Sequence, residues 1–191
     1  MKKIYIAALV FLLNCVPSYS NTFSPYIGFD LGANVANYTF ETELDDIYYY
    51  GTINAGARIG GNFGVEFFAT LSDKNEIEYT NELYSEKFSF DYMAFGFDIF
   101  AYYNLTPDFD FFTSFGVANY KINASYEYTD LYQNTSDSDS DNNVSTRLGI
   151  GLMFNFPGDN ISGLIKYNYI PLNNSLINTI SEFSVGIRYL F

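Results

Sequence analysis

The sequence predicts an all-β fold, an eight-stranded antiparallel transmembrane up-and-down β-barrel preceded by a cleavable signal peptide. Three observations predict it: an apolar N-terminal segment, apolar residues that alternate with small or polar ones, and connections that alternate between short and long. The composition agrees, because 20% of the 191 residues are aromatic and only 16% are charged, against about a quarter in soluble domains. The formal charge of -13 argues against nucleic acid as a partner.

Residues 1–20 have the layout of a secretory signal peptide. Two lysines precede an apolar run over residues 4–13, and polar and small residues follow at 17–20. The run is too short to span a membrane as a helix. We expect cleavage after Ser20, which leaves residues 21–191 as the barrel domain. A lipoprotein signal at Cys15 is the alternative, and it is disfavoured because the residue before Cys15 is not small.

Eight later segments alternate with a period of two residues, as strands with one apolar face do. Large apolar residues occupy one parity of each segment, and Gly, Ser, Asn or charged residues predominate on the other. The apolar parity carries no charge, as lipid requires, since a charge on a lipid-facing strand costs about 2–4 kcal/mol at mid-depth. In chain order the predicted strands are 27–35, 53–59, 65–71, 93–105, 110–118, 144–156, 163–169 and 183–191.

The connections between these strands alternate in length. The short ones are rich in Gly, Pro, Asn and Asp, which is typical of tight turns; they are 60–63, 106–108 and 157–160. The long ones lie near 37–51, 73–90, 121–143 and 171–181. Barrels of the bacterial outer membrane have short periplasmic turns and long outer loops. The pattern therefore predicts a barrel of a Gram-negative outer membrane with both termini in the periplasm.

The end of the sequence carries a family resemblance. Phe183, Gly186, Tyr189 and Phe191 form a strand that closes on an aromatic residue, and this ending resembles the C-terminal sorting signal of outer-membrane barrels. Residues 22–191 resemble the small eight-stranded porin-like surface proteins, akin to the barrel domain of outer membrane protein A, although the sequence has no Trp. The resemblance implies that the barrel-assembly machinery binds the C-terminal strand.

The polar parity places charged residues inside the predicted barrel. Eight strands leave an interior that side chains can fill, so buried charges must pair. We expect an ion-pair network with a structural role; a narrow conducting path and a ligand cavity are the alternatives. The network consists of four acids and four bases, Asp30, Arg58, Glu66, Asp98, Asp110, Arg147, Lys166 and Arg188.

The long connections carry the residues that we expect to contact other molecules, because the wall and the interior are committed to folding. They are rich in Tyr and acidic residues. An Asp-Ser repeat in the third connection resembles a calcium loop but lacks the Gly and the closing Glu of an EF-hand, so a solvated mobile tip is favoured over a weak divalent-cation site. The predicted contact residues are Tyr48, Tyr49, Tyr50, Asp137, Asp139 and Asp141.

These features favour a structural and surface-interaction role, in which the barrel is anchored in membrane lipid and presents four acidic loops to an extracellular protein or surface ligand. A small porin or narrow channel for ions or small solutes is the alternative. An enzyme is disfavoured, because the sequence has no His and no nucleophile with a matching base can be named. No cofactor and no metal are predicted.

Overall fold

The computed structural model describes residues 23–39, 47–81, 83–130, 132–158, 160–172 and 177–191. The predicted signal peptide and residues 40–46 of the first predicted loop lie outside these residues. Within the described ranges, no helix is long and apolar enough to cross a membrane.

In the described part of the chain, nine antiparallel β-strands form one closed sheet. β1 pairs with β9, and β5 pairs with β3 as well as β4. β4 continues the line of β3 after an interruption at Asp73 and Lys74, so the nine strands make a ring of eight, which confirms the predicted barrel. The strands are β1 (Phe23–Tyr38), β2 (Ile47–Ile59), β3 (Phe63–Ser72), β4 (Asn75–Thr80), β5 (Tyr84–Asn104), β6 (Phe109–Asp130), β7 (Asn134–Asn155), β8 (Ile161–Pro171) and β9 (Ile177–Leu190).

The two faces of the strands lie as the alternation predicts. On β1, Phe29 and Leu31 are 43% and 56% exposed on the outside, whereas Asp30 between them is buried. The outward row of β5 runs from Met93 to Tyr103. At about 3.3 Å per residue and a tilt of about 40°, this row is roughly 25 Å high. That height matches the apolar band of outer-membrane barrels.

The prediction of a long loop over 121–143 is wrong. β6 and β7 are each 22 residues long and continue as a hairpin whose connection is 131–133. The register pairs Tyr126 with Asp137, and this pairing satisfies backbone groups that a loop would leave to water. β4 and the start of β5 form a second hairpin within the predicted connection 73–90. We call this end of the barrel the hairpin end.

The opposite end, the turn end, carries the three short connections, as predicted. Gly60 and Gly61 at the β2–β3 turn and Gly158 at the β7–β8 turn have φ between 60° and 84°. Residues other than Gly rarely adopt this left-handed backbone conformation, so glycine permits these tight turns.

Candidate functional site

The first group of buried ions, the Asp30 cluster, joins β1, β3, β8 and β9. Arg188 donates from Nη2 to Asp30 Oδ2 at 3.1 Å and from Nε to Glu66 Oε2 at 2.9 Å. Lys166 Nζ lies 3.4 Å from Asp30 Oδ2 and 3.8 Å from Glu66 Oε1. All four side chains are buried. Two cations therefore balance two carboxylates away from water.

The second group, the Glu182 cluster, joins β5, β7, β8 and β9. Arg147 Nη2 and Asn168 Nδ2 each donate to Glu182 Oε2 at 2.9 Å. The Tyr92 hydroxyl donates to Glu182 Oε1 at 3.1 Å. Arg147 Nε lies 3.9 Å from Asp98 Oδ1, which is close enough for attraction but too far for a hydrogen bond. Arg147 thus sits between two carboxylates and bonds only one of them.

A separate ion pair lies near the turn end. Arg58 Nη1 donates to Asp110 Oδ2 at 2.6 Å, and Arg58 Nε donates to the Gly61 carbonyl at 2.6 Å. Asn104 and Asn155 donate side-chain N–H groups to the same carboxylate at 2.8 and 3.1 Å. The Asp110 carboxylate therefore accepts three hydrogen bonds, and the pair links the β2–β3 turn to β6.

The structure brings all eight predicted interior charges into these three groups. It adds Glu182, which the sequence reasoning missed. Glu182 has the same parity as Ser184 and Arg188, but the predicted strand began at Phe183; extending the alternation by one residue would have found it. The interior groups thus contain five acids and four bases.

Apolar layers lie on both sides of the ions. Near the turn end, Phe100, Tyr102, Phe112, Met153 and Leu164 form one buried cluster. Toward the hairpin end a larger cluster includes rings in edge contact, such as Tyr48 and Phe90 with centroids 5.9 Å apart. Members of the larger cluster include Tyr48, Phe68, Phe90, Tyr92, Tyr120, Ile122, Ile170, Ile177 and Ile180. The described interior is therefore packed at several levels along the barrel axis.

The prediction that Tyr48 and Tyr50 contact other molecules is wrong. Tyr48 and Tyr50 are 4% and 5% exposed and point into the barrel, because β2 begins at Ile47 and alternation turns both inward. Only Tyr49 of the three is exposed. Asp137, Asp139 and Asp141 are exposed, but they lie on strand β7 and not in a loop; their parity places them on the inner face of the hairpin.

The hairpin end is strongly acidic. Its described residues carry three lysines, Lys74, Lys87 and Lys121, against ten acids. The ten acids are Asp73, Glu76, Glu78, Glu86, Asp91, Glu127, Asp130, Asp137, Asp139 and Asp141. At the turn end, Asp108 is the only charged residue of the described connections.

Two carboxylates at this end have defined partners. Glu76 accepts from Lys74 at 2.7 Å and Lys87 at 2.8 Å, and these hydrogen bonds lower the pKa of Glu76 below its usual value. Asp130 Oδ1 accepts the backbone N–H groups of Tyr132 and Gln133 at 2.7 and 2.8 Å. Those two bonds lower the pKa of Asp130 and hold the tip of the β6–β7 hairpin.

The Asp-Ser repeat does not gather carboxylates around one point. Alternate residues of a strand are about 6.5–7 Å apart, so neighbouring Asp residues of β7 are too widely spaced to share an ion ligated at 2.3–2.6 Å. Among the described residues, no group of three or more His, Cys, Asp or Glu side chains is arranged to hold a metal ion.

The closed ring, the apolar outer band and the charged, packed interior define a small transmembrane β-barrel. The family described as the outer membrane protein beta-barrel domain matches residues 6–191, so the chain belongs to that family. It is a small bacterial outer-membrane β-barrel surface protein, and the family is non-enzymatic. No curated protein matches the chain.

Solved structures show the same fold. Neisserial surface protein A is 12% identical, with a TM-score of 0.63 over 87% of this chain and 97% of that one. Ail of Yersinia pestis, crystallised with the heparin analogue sucrose octasulfate, is 16% identical, with a TM-score of 0.52 over 88% and 97%. The N-terminal barrel of Pseudomonas aeruginosa OprF is 12% identical, with a TM-score of 0.51 over 87% and 97%.

Proposed function

We propose that the barrel anchors the chain in the outer membrane with its hairpin end outside the cell, and that the β6–β7 hairpin binds a basic partner protein. The observation that carries this proposal is the charge distribution, ten acids against three lysines at the hairpin end. A surface with this imbalance attracts cationic partners and repels anionic ones.

The inner face of the hairpin supplies a surface for such contact. Asp137, Asp139 and Asp141 form a row of exposed carboxylates on β7, spaced about 6.5–7 Å apart. Tyr126 lies opposite Asp137 and is 40% exposed, and Tyr132 at the tip is 93% exposed. Tyr side chains give large contact area at low cost in conformational entropy, so aromatic contact and charge attraction are combined on one hairpin.

The ligand of the Ail complex is not transferred to this chain. Sucrose octasulfate is a polyanion, and Ail shares only the fold with this protein at 16% identity. An acidic hairpin end opposes the approach of a polyanion. The partner proposed here therefore has the opposite charge.

Binding is tested with the full chain refolded in lipid nanodiscs and a lysine homopolymer as the probe. Replacing Asp137, Asp139 and Asp141 together by Asn should weaken binding about fivefold or more at low salt, and the difference should shrink at high salt. Replacing Ser136, Ser138 and Ser140 by Asn changes the opposite face of the same strand and should leave binding unchanged. Equal affinity of the acidic-row variant and the parent would contradict the proposal.

The orientation is tested separately on intact cells. A Tyr132→Cys variant should react with a membrane-impermeant thiol reagent, whereas Asp108→Cys should react only after the outer membrane is broken. The reverse labelling pattern would place the hairpin end in the periplasm. This outcome would not change the measured binding, but the hairpin would then not bind a partner at the cell surface.

The channel alternative has less support. Apolar clusters pack the described interior on both sides of the ions, and ion conduction needs a continuous polar path. Planar-bilayer recordings of the refolded protein should therefore show no stable conductance. A large, persistent conductance would favour the channel.

The C-terminal strand is proposed as the contact for the barrel-assembly machinery. Phe183, Tyr189 and Phe191 are exposed on the outer face, and Gly186 lies on the inner face between Ser184 and Arg188. Phe191→Ser should lower the amount of folded barrel in cells while leaving the stability of protein refolded in vitro unchanged. Equal losses in both measurements would indicate a structural role only.

A further inference from the structure

The outer part of β7 is paired on one side only. β6 pairs with residues 134–154 of β7 in one register without a shift. β8 pairs only with residues 148–155, and the next position of β8 that would donate to β7 is Pro171, which has no backbone N–H. Even if this register continued up to β9, it would end opposite residue 141. Within the described ranges, residues 134–140 therefore have no strand on this side, and we call them the open edge.

Two backbone hydrogen bonds show which residues of β7 direct their N–H and C=O groups to the open side. The Asn155 N–H donates to the Asp108 carbonyl at 2.8 Å, on the side of β6, and the Phe156 N–H donates to the Ile161 carbonyl at 3.2 Å, on the side of β8. This direction alternates along a strand, so the even-numbered residues of β7 face away from β6. At the open edge these residues are Asn134, Ser136, Ser138 and Ser140.

The open edge lacks several features that keep edge strands from pairing. Residues 134–140 contain no Lys and no Pro, the strand has no bulge there, and their side chains are exposed. Such an edge is a template for another strand. The opposite edge of the same sheet, β4, is only six residues long, and Glu76 on it is already paired with Lys74 and Lys87. β7 is therefore the edge better suited to take up a further strand.

The aspartates of β7 select which strand can be added. Asp137 and Asp139 would oppose the new strand at non-hydrogen-bonded positions, where Cα atoms of an antiparallel pair are about 4.5 Å apart and side chains are closest. A second copy of this edge would bring its own aspartates to the same face, and like charges opposite each other destabilise a strand pair. Lys or Arg at every second position would meet both carboxylates, because alternate residues of any strand repeat at about 6.5–7 Å.

We propose that the basic partner binds as an extended segment that adds an antiparallel strand to the open edge. Its backbone exchanges hydrogen bonds with Ser136 and Ser138, the mode known as β-strand addition, and its Lys or Arg side chains, two positions apart, face Asp137 and Asp139. This inference rests on the basic partner proposed above. It adds the conformation of the bound segment and the spacing of its charges.

The test uses the full chain in nanodiscs of zwitterionic lipid and a labelled, acetylated heptapeptide, Thr-Lys-Thr-Lys-Thr-Lys-Thr, followed by fluorescence anisotropy. With its lysines opposite the aspartates, the threonine N–H groups point to β7. N-methylation of the threonine nitrogens should therefore weaken binding about tenfold or more, whereas N-methylation of the lysine nitrogens should leave it unchanged. Lys-Lys-Thr-Thr-Lys-Thr-Thr has the same composition but no two lysines two positions apart, and it should bind about threefold more weakly.

Ser138→Pro tests the open edge from the side of the protein. The Ser138 N–H points away from β6, so proline removes no bond to β6 and no charge, and proline is tolerated at such edge positions. Ser138→Pro should weaken binding of the alternating heptapeptide about fivefold or more, whereas Ser138→Ala should bind it like the parent. Heat-dependent gel mobility checks that both variants are folded, and the methylated peptides decide the matter with the parent if one is not.

Two failures can be told apart. If the two methylated peptides bind the parent equally, but replacing the three aspartates of the row by Asn still weakens both, the basic partner stands and strand addition is overturned. If the same triple replacement changes the binding of no basic probe, the proposed function and the added strand are both overturned.

Discussion

Replacing Arg147 by Met should destabilise the barrel by about 3–5 kcal/mol, the cost of leaving buried charges without their partner. Glu182 loses the 2.9 Å hydrogen bond that the guanidinium donates, and a hydrogen bond to a charged group contributes about 1.5–3 kcal/mol. Asp98 loses its attraction to the guanidinium at 3.9 Å. This Coulomb energy is about 4 kcal/mol at an effective dielectric constant near 20, before the cost of desolvation is subtracted. Met retains much of the side-chain volume beside the Phe68 ring, on which the guanidinium stacks at 3.9 Å.

The assay is urea unfolding in lipid vesicles, followed by the heat-dependent gel mobility of the folded barrel. Lys74→Met is the control, because Lys74 also has a short contact to a carboxylate, at 2.7 Å, but both side chains are more than a third exposed. Exposed pairs contribute about 0–1 kcal/mol. Adding Asp98→Asn and Glu182→Gln to Arg147→Met should restore part of the lost stability. Equal unfolding midpoints for Arg147→Met, Lys74→Met and the parent would refute the reasoning.

Three further predictions concern other parts of the barrel. Gly186→Ala should cost about 1–3 kcal/mol, because its new methyl group would overlap the Asp30 carboxylate, whereas at Gly163→Ala it would meet only Phe156 at 3.7 Å; equal unfolding midpoints would contradict this packing. Leu31→Lys should cost about 2–4 kcal/mol in vesicles and Tyr49→Lys about 0–1 kcal/mol, since Leu31 lies mid-band and Tyr49 near its edge; the reverse order would place the membrane elsewhere. The pKa of Asp130 is lowered in the folded hairpin, so the ionised carboxylate stabilises the tip at pH values above the ordinary pKa of 3.8, and this stabilisation is lost as the pH falls through the folded pKa. Amide exchange at Tyr132 and Gln133 should therefore accelerate only below about pH 4. The Asp130→Asn variant should abolish that pH dependence.

The alternation of residues predicted the barrel and the position of its interior charges, because lipid outside and a packed interior impose a strict period of two. Because Phe29 and Leu31 face the lipid, Asp30 between them must face the interior. The strands and their alternation extend beyond the predicted strand ends. On β6 the inward row continues through Tyr120 and Ile122, where the polar composition suggested a loop.

Other features depend on distances across the barrel that the sequence does not contain. Arg188 and Glu66 are 122 residues apart, and only the tilt and stagger of the closed ring bring them together. Tyr48 and Tyr50 were placed outside because a run of three Tyr in an acidic segment is typical of exposed loops. The start of β2 decides which of the three point inward, and strand ends are the least certain part of a sequence-based prediction.

The seam between β1 and β9 has a consequence for how the chain is made. Tyr26 pairs with Leu190, and thirteen such pairs run along the seam. During synthesis β1 emerges long before its partner, so its outer edge of N–H and C=O groups stays open while the rest of the chain follows, and an open edge invites pairing with other chains. Contacts between residues so far apart in sequence also form slowly. A cell that makes this protein must therefore protect the open edge of β1 from other chains while the unfolded chain crosses the periplasm.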